Sequence, residues 1–185
     1  MRRLYLLVLM ALWPLVVGTP CTIETDPIVP EGDGGTADGG YSKRRVDFST
    51  LEQGEFIGGV LDGVTVSVEA YAGSRVVQAV NLYGDANDLY LGCGLIRLTP
   101  PEGHGSFGVS FNDDQGTLLV TVFDGQGVSF TDRPIDTRAD AQAVGIVAKD
   151  ASHKWLTARA ASVSRLVGGL TIASCGGSVR EVVFE

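Results

Sequence analysis

The chain has 185 residues, with 25 glycines, 7 prolines and a formal net charge of −8. The glycine content is about twice the usual value, but the few prolines exclude collagen-like and proline-rich disordered chains. The acidic excess disfavours nucleic acid as a partner, because such a surface repels phosphate backbones. Three cysteines and two histidines exclude most zinc sites. The length suits one domain with its own hydrophobic core.

The first 18 residues have the pattern of an export signal peptide. Arg2 and Arg3 precede an apolar run from Leu4 to Val17, and cleavage is expected after Gly18. The run is too short for a transmembrane helix, which needs about 20 apolar residues. We therefore expect an exported bacterial protein, extracellular or at the cell surface or periplasmic, with no membrane span in the mature chain.

Cys21 lies just beyond this leader and leaves two interpretations open. A cysteine followed by a flexible linker is the layout of a bacterial lipoprotein, in which the cysteine carries a lipid anchor. Pro20 and Gly18 depart from the residues that usually precede such a cysteine. The favoured alternative is an ordinary secreted protein with a spare cysteine near its N-terminus.

Residues 19–40 have the composition of a linker between the leader and a folded domain. Gly, Pro, Asp and Thr dominate, and after Ile28 and Val29 almost no core-forming residues follow. Such a segment cannot bury enough apolar area to offset the entropy lost on ordering. We predict a disordered tether over 19–40 and a folded domain over 41–185.

Within that domain, apolar and polar residues alternate in short runs, as half-buried strands require. Turn signals rich in glycine and aspartate separate the runs, among them Gly168–Gly169 and Gly176–Gly177. Many short strands joined by glycine turns predict an all-β fold, an antiparallel sandwich or barrel. The predicted strands include Val64–Val68, Phe107–Phe111, Leu118–Val122, Val128–Phe130, Leu170–Ile172 and Val179–Phe184.

The stretch 139–161 fits this pattern least well. It is alanine-rich, and its composition alone favours a helix. Val144–Val147 and Val163–Leu166 nevertheless have strand-like composition on either side of a charged segment. We predict two strands and a loop here, with room for one short helix.

Four short motifs follow one another along the domain: DFSTLEQG at Asp47–Gly54, GVTVSV at Gly63–Val68, the acidic DANDL loop at 85–89, and a final strand at Ser178–Phe184. Together they resemble exported bacterial β-sandwich domains of PEP-CTERM and related choice-of-anchor surface proteins. The resemblance implies a jelly-roll-like sandwich at the cell exterior. The chain departs from that group because it lacks the C-terminal PEP motif, apolar helix and basic tail, so we expect any anchor to be at Cys21.

Cys93 and Cys175 are the two cysteines inside the predicted domain. In an oxidising compartment, two cysteines of one small domain usually pair. We therefore predict a Cys93–Cys175 disulfide. In the loop-entropy model such a long-range bridge restricts the unfolded chain by about 4 kcal/mol.

The acidic loop with Asp85, Asn87 and Asp88 is the candidate metal site, and Asp113 and Asp114 lie in a second acidic loop. Clustered carboxylate and amide oxygens on sandwich loops suit calcium, the only cofactor predicted here. The alternative is that Asp, Asn and Gly stand there because turns favour them.

No catalytic residue is assigned from the sequence. Gly103–Gly108 matches G-x-G-x-x-G, but phosphate binding needs a helix after the glycines, and a strand is predicted instead. Ser106 with His104, or Ser152 with His153, would supply a nucleophile and a base, but neighbouring strand residues point to opposite faces. Carboxylate pairs are plentiful among the 22 acidic residues, although none stands out by its spacing. An extracellular hydrolase acting on a polysaccharide or an ester is an alternative function.

Partly exposed aromatic side chains bind sugars by stacking, and Trp155, Tyr71, Tyr83 and Tyr90 are candidates. The alternative is that these rings pack over a sheet edge. The favoured function is a secreted or surface-tethered, non-catalytic module with a structural or ligand-binding role in the cell envelope. A carbohydrate-binding module is a further alternative, and the expected partner is an envelope polysaccharide or a surface protein.

Overall fold

The computed structural model describes residues 42–84, 86–160 and 165–185. The predicted leader, linker and lipidation site Cys21 lie outside these ranges, as does Asp85. No helix in the described part of the chain is long and apolar enough to cross a membrane. The described strands are β1 (Arg44–Asp47), β2 (Gly54–Glu55), β3 (Gly58–Leu61), β4 (Val64–Ala70), β5 (Val76–Val80), β6 (Asp88–Thr99), β7 (Ser106–Asn112), β8 (Leu118–Asp124), β9 (Ile135–Asp136), β10 (Val147–Ala148), β11 (Lys154–Arg159) and β12 (Val167–Phe184).

These strands form one continuous antiparallel sheet. The sheet has two halves, and its two longest strands, β6 and β12, run through both of them. The N-terminal part of β12 pairs with β8, and its C-terminal part pairs with β7 and β1. In the same way β6 pairs with β5 before its bend and with β4 after it. We call β3, β4, β8 and β9, with the adjoining parts of β6 and β12, the first half. The second half contains β1, β2, β5, β7, β10 and β11, with the remaining parts of β6 and β12.

Inward-facing residues of both halves meet in one hydrophobic core. In the first half Val64 and Val66 are buried on either side of the exposed Thr65. In the second half Val109 and Phe111 of β7 are fully buried. Burying a side chain of this size stabilises a fold by roughly 1.5–3 kcal/mol. The shared core makes the sheet sandwich-like and confirms the predicted all-β, antiparallel class.

The glycine pairs at 168–169 and 176–177 were predicted to form turns, and both lie instead inside β12. Gly176 has a φ of 124°, which side-chain-bearing residues rarely adopt. A Cβ on Gly177 would come within 2.7 Å of the Gly116 carbonyl oxygen. Glycine here lets one long strand bend between the halves, with irregular pairing between Ser174 and Ser178.

The predicted disulfide between Cys93 and Cys175 is present, and it joins β6 to β12 at this bend. Gly92 pairs with Cys175, and Gly94 pairs with Ser174, so Cys93 stands out of the regular register. Cys93 has a φ of 58°, a left-handed conformation that is unfavourable for a residue with a Cβ. The bridge therefore fixes both strands where they leave one half for the other.

The predicted strand Val144–Val147 is wrong for most of its length. Only Val147 belongs to a strand, β10, and the preceding residues form turns. The Val144 N–H donates to the Asp140 carbonyl (3.0 Å), and Gly145 has a φ of 66°. Backbone N–H and C=O groups that a strand would pair across the sheet are thus paired within the turn instead.

The predicted strand Val128–Phe130 is also absent. The Asp124 carboxylate accepts hydrogen bonds from the backbone N–H groups of Gln126 (3.0 Å) and Val128 (2.8 Å). Only Ser129 forms a bridge, to Phe123. The aspartate turn therefore extends through Val128, because one carboxylate holds two of its N–H groups.

Candidate functional site

Five of the residues singled out by the sequence, Tyr83, Asp88, Tyr90, His153 and Trp155, lie on the outward side of the second half. On β7, Ser110 and Asn112 alternate with the core residues Val109 and Phe111, so they point away from the core. Pairing across the sheet then aligns outward neighbours in two rows. We call this surface the polar face. Its main members are Tyr83, Asp88, Tyr90, Asn112, Lys149, His153, Trp155, Ser178, Arg180 and Glu181.

Asp88 is the most deeply buried charged residue of the polar face, with no exposed surface. Its Oδ1 accepts a hydrogen bond from Arg180 Nε (2.8 Å), and its Oδ2 accepts one from Ser178 Oγ (3.1 Å). Oδ2 also lies 2.9 Å from His153 Nε2, which must carry the proton because a carboxylate only accepts. These partners stabilise a charge whose burial alone would be costly.

His153 is held on its other side by the turn that precedes β11. Its Nδ1 lies 2.8 Å from Ser152 Oγ and 3.3 Å from Asp150 Oδ1. The edge of the Tyr83 ring packs against the imidazole, with 5.3 Å between ring centroids. Burial raises the pKa of Tyr83, although its hydrogen bond to Ser178 acts in the opposite direction. These contacts hold the imidazole at both ring nitrogens, and the Tyr83 ring packs against it.

Asp150 organises this turn. Its Oδ1 accepts hydrogen bonds from the backbone N–H groups of Ser152 and His153, each at 2.8 Å. Partial burial raises the pKa of Asp150, but the two N–H groups and the His153 side chain outweigh it and hold the pKa at about 2. Asp150 is therefore ionised throughout the physiological range.

Ser152, His153 and Asp88 form a hydrogen-bonded chain, so the expectation that residues 152 and 153 point to opposite faces is wrong. Ser152 lies in the turn and not on the strand, so its hydroxyl reaches the neighbouring imidazole. The arrangement has the order of nucleophile, base and carboxylate. However, both N–H groups next to this serine are engaged by Asp150, so they are not offered to an oxyanion. The hydrogen bonds of Ser152 and His153 are therefore those of a turn that Asp150 stabilises.

The second serine–histidine pair lies elsewhere. His104 is fully buried and packs against Phe184, with 5.5 Å between ring centroids. Burial lowers the pKa of His104. Ser106 begins β7, so a strand follows the glycines of Gly103–Gly108, as the sequence predicted. This segment therefore has no helix N-terminus for a phosphate.

Trp155 lies at one end of the polar face. Its six-membered ring sits directly over Gly108, where a Cβ would collide with it. Lys149 Nζ lies 4.7 Å from the indole centroid and also contacts Glu181. Arg45 Nη2 approaches Glu181 to 2.7 Å. Burial lowers the pKa of Lys149, and the charge of Arg45 acts in the same direction.

Tyr90 lies toward the opposite end of the face. Its Cε1 would be 3.1 Å from a Cβ on Gly92, so this ring also covers a glycine, beside the exposed Val76. Three strand spacings and two residues separate Tyr90 from Trp155, a distance of about 16 Å. Tyr83 lies between them, over His153. The fourth aromatic residue, Tyr71, lies at the end of β4, where its backbone pairs with Ser74.

The predicted calcium loop is described only in part. Asn87 Nδ2 donates to the Leu51 carbonyl (2.7 Å), and Asn87 Oδ1 accepts from Gln53 Nε2 (3.4 Å). In the second loop, Asp113 Oδ1 pairs with Lys154 Nζ (2.5 Å). Among the described residues, no group of three or more His, Cys, Asp or Glu is placed to hold a metal ion. Calcium binding stays a prediction.

His153, Ser178 and Arg180 were missed as partners of Asp88. They lie 65, 90 and 92 residues beyond it in the sequence. Period-two alternation indicates which strand residues share a face, but it does not say which strands become neighbours. No local signal could have joined them.

No protein-family model and no curated protein matches this chain. Among solved structures it is similar to the catalytic unit of a thermostable GH87 α-1,3-glucanase from Streptomyces thermodiastaticus strain HF3-3, at 14% identity and a TM-score of 0.40. The match covers 77% of this chain and 26% of the glucanase unit. It is also similar to a mutant of a family 29 carbohydrate-binding module, at 10% identity and a TM-score of 0.39, over 77% of this chain and 91% of that one. The chain thus spans about a quarter of the glucanase unit.

Proposed function

We propose that this protein is an exported, non-catalytic β-sandwich module that binds an envelope polysaccharide across the polar face. One observation carries the proposal. The strand register brings Trp155 and Tyr90 to one outward surface, and Tyr83 packs against His153 between them, beside buried and hydrogen-bonded polar groups. A single sugar would cover a small part of a surface about 16 Å long, so an extended chain is the expected ligand.

The polar groups of this face are held in place before any ligand arrives. Asp88 positions His153, Ser178 and Arg180 through direct hydrogen bonds. A surface that is already ordered loses less conformational entropy on binding. The aromatic rings supply apolar area beside these groups, the combination of stacking and hydrogen bonding that suits a sugar chain.

The charges of the face favour binding over hydrolysis. Glycosidases need a carboxylic acid with a raised pKa that can protonate the leaving oxygen. The pKa of Asp150 is instead held at about 2. Asp150 is therefore not suited to act as a general acid.

The proposed location rests on the disulfide and on the leader. The Cys93–Cys175 bridge suits an oxidising compartment outside the cytoplasm. The leader, with cleavage after Gly18, would deliver the chain there, and Cys21 would provide the lipid anchor if it is modified. Mass analysis of the protein from its host tests both points, since cleavage and a diacylglycerol group each change the mass of the N-terminal peptide.

Affinity electrophoresis in native gels containing soluble polysaccharides tests binding. We expect at least one envelope or plant polysaccharide to retard the wild-type protein. Tyr90→Ala and Trp155→Ala should each weaken that binding at least tenfold, about 1.4 kcal/mol. Phe123→Ala is the matched control, because Phe123 lies in the first half, under Arg97. Equal binding by all three variants would refute the polar face as the site.

A further inference from the structure

We propose that the polysaccharide bound by the polar face is electrically neutral. This inference rests on the proposed function and adds the chemical class of the ligand. It follows from how the charges of the face are paired.

Three cations of the polar face and its edge are already paired with carboxylates of the protein. Arg180 Nε lies 2.8 Å from Asp88 Oδ1. Arg45 and Lys149 both pair with Glu181, whose side chain is only 7% exposed. An anionic polymer could reach these cations only by displacing a carboxylate, which would leave that carboxylate buried without its partner.

The overall charge of the chain also disfavours an anionic ligand. The whole chain carries a formal net charge of −8. The resulting field repels uronates, sulfated sugars and other polyanions.

Neutral sugar hydroxyls can bind without breaking these ion pairs. A carboxylate has about four lone-pair sites, so it can accept from a hydroxyl while its cation stays in place. The side chain of Asp150 is 44% exposed and stays ionised, which makes it an accessible acceptor. A cationic polymer would bring its charge beside Arg45, Lys149 and Arg180, which already pair with the buried carboxylates Asp88 and Glu181. An uncharged, hydroxyl-rich chain fits the existing network.

Binding to three classes of polymer at two ionic strengths tests the inference. The probes are hydroxyethylcellulose and glucomannan as neutral polymers, alginate and polygalacturonate as anionic ones, and chitosan as the cationic one. We expect a neutral polymer to bind, with its Kd changing less than about twofold between low salt and about 0.5 M NaCl, where charge interactions are screened. Tyr90→Ala should weaken that binding at least tenfold, and Phe123→Ala should preserve it.

The possible outcomes separate the two proposals. Binding of alginate, polygalacturonate or chitosan that is lost in Tyr90→Ala, and that weakens about tenfold or more with salt, would overturn neutrality and leave the polar face as the site. Binding of no polymer, or binding that is unaffected by Tyr90→Ala and Trp155→Ala, would overturn the proposed function and the neutral ligand with it. Salt-insensitive binding of a neutral polymer that depends on Tyr90 supports both.

Discussion

Replacing Asp88 with asparagine should destabilise the domain strongly, although the two side chains have nearly the same shape. The carboxylate has no exposed surface and is contacted by His153, Ser178 and Arg180 within 2.8–3.1 Å. In Asp88→Asn the charge disappears, and an NH2 group replaces one of the two accepting oxygens. At least one donor of the network would then face another donor.

The size of the loss follows from the burial of the pair. Removing one partner of a buried ion pair typically costs 3–5 kcal/mol. Arg180 keeps a side-chain exposure of 14% and gains some solvation, so the lower value of about 3 kcal/mol is expected. In a domain of this size, that loss lowers the Tm by about 10 °C.

Thermal and guanidinium unfolding, followed by circular dichroism, measure this change. Asp132→Asn is the matched control, because Asp132 is exposed, and its effect should stay within about 0.5 kcal/mol. A loss below about 1 kcal/mol for Asp88→Asn would refute the reasoning, because so small a cost is typical of an exposed ion pair. A loss of about 3 kcal/mol with an unchanged m-value would support it.

Three further results are expected. Replacing Cys93 and Cys175 by serine should lower the free energy of unfolding by about 2–5 kcal/mol; free thiols at both positions in non-reducing mass analysis of the wild type would contradict the bridge itself. If the loop at 85–88 binds calcium, the Tm should rise with Ca2+ and fall with a chelator, because a ligand bound only to the native state stabilises it; an unchanged Tm removes that prediction. Burial lowers the pKa of His104 below its ordinary 6.5, so the unfolded chain takes up a proton there first as the pH falls. The stability of the wild type should therefore decrease below about pH 6.5, and His104→Gln, compared in denaturant melts from pH 8 to 5, should decrease less steeply; parallel curves would contradict this.

The sequence by itself determined the class of the fold and much of its strand pattern. Strands β4, β7 and β8 follow directly from alternation, because a half-buried strand must place every second side chain in the core. The disulfide could be predicted from the cysteine count and the expected compartment. Trp155 could be named as a candidate, because its polar neighbours indicate a partly exposed ring.

Only the tertiary structure decided how these pieces meet. Gly176 and Gly177 stand where the sequence predicts a turn, yet the chain continues through them as one strand. Glycine is needed there because the neighbouring backbone at Gly116 leaves no room for a Cβ. The partners of Asp88 were likewise settled by the strand order, which places His153 and Ser178 beside a residue far away in the chain. Pairing between distant strands depends on the packing of the whole core, and a local pattern carries no information about it.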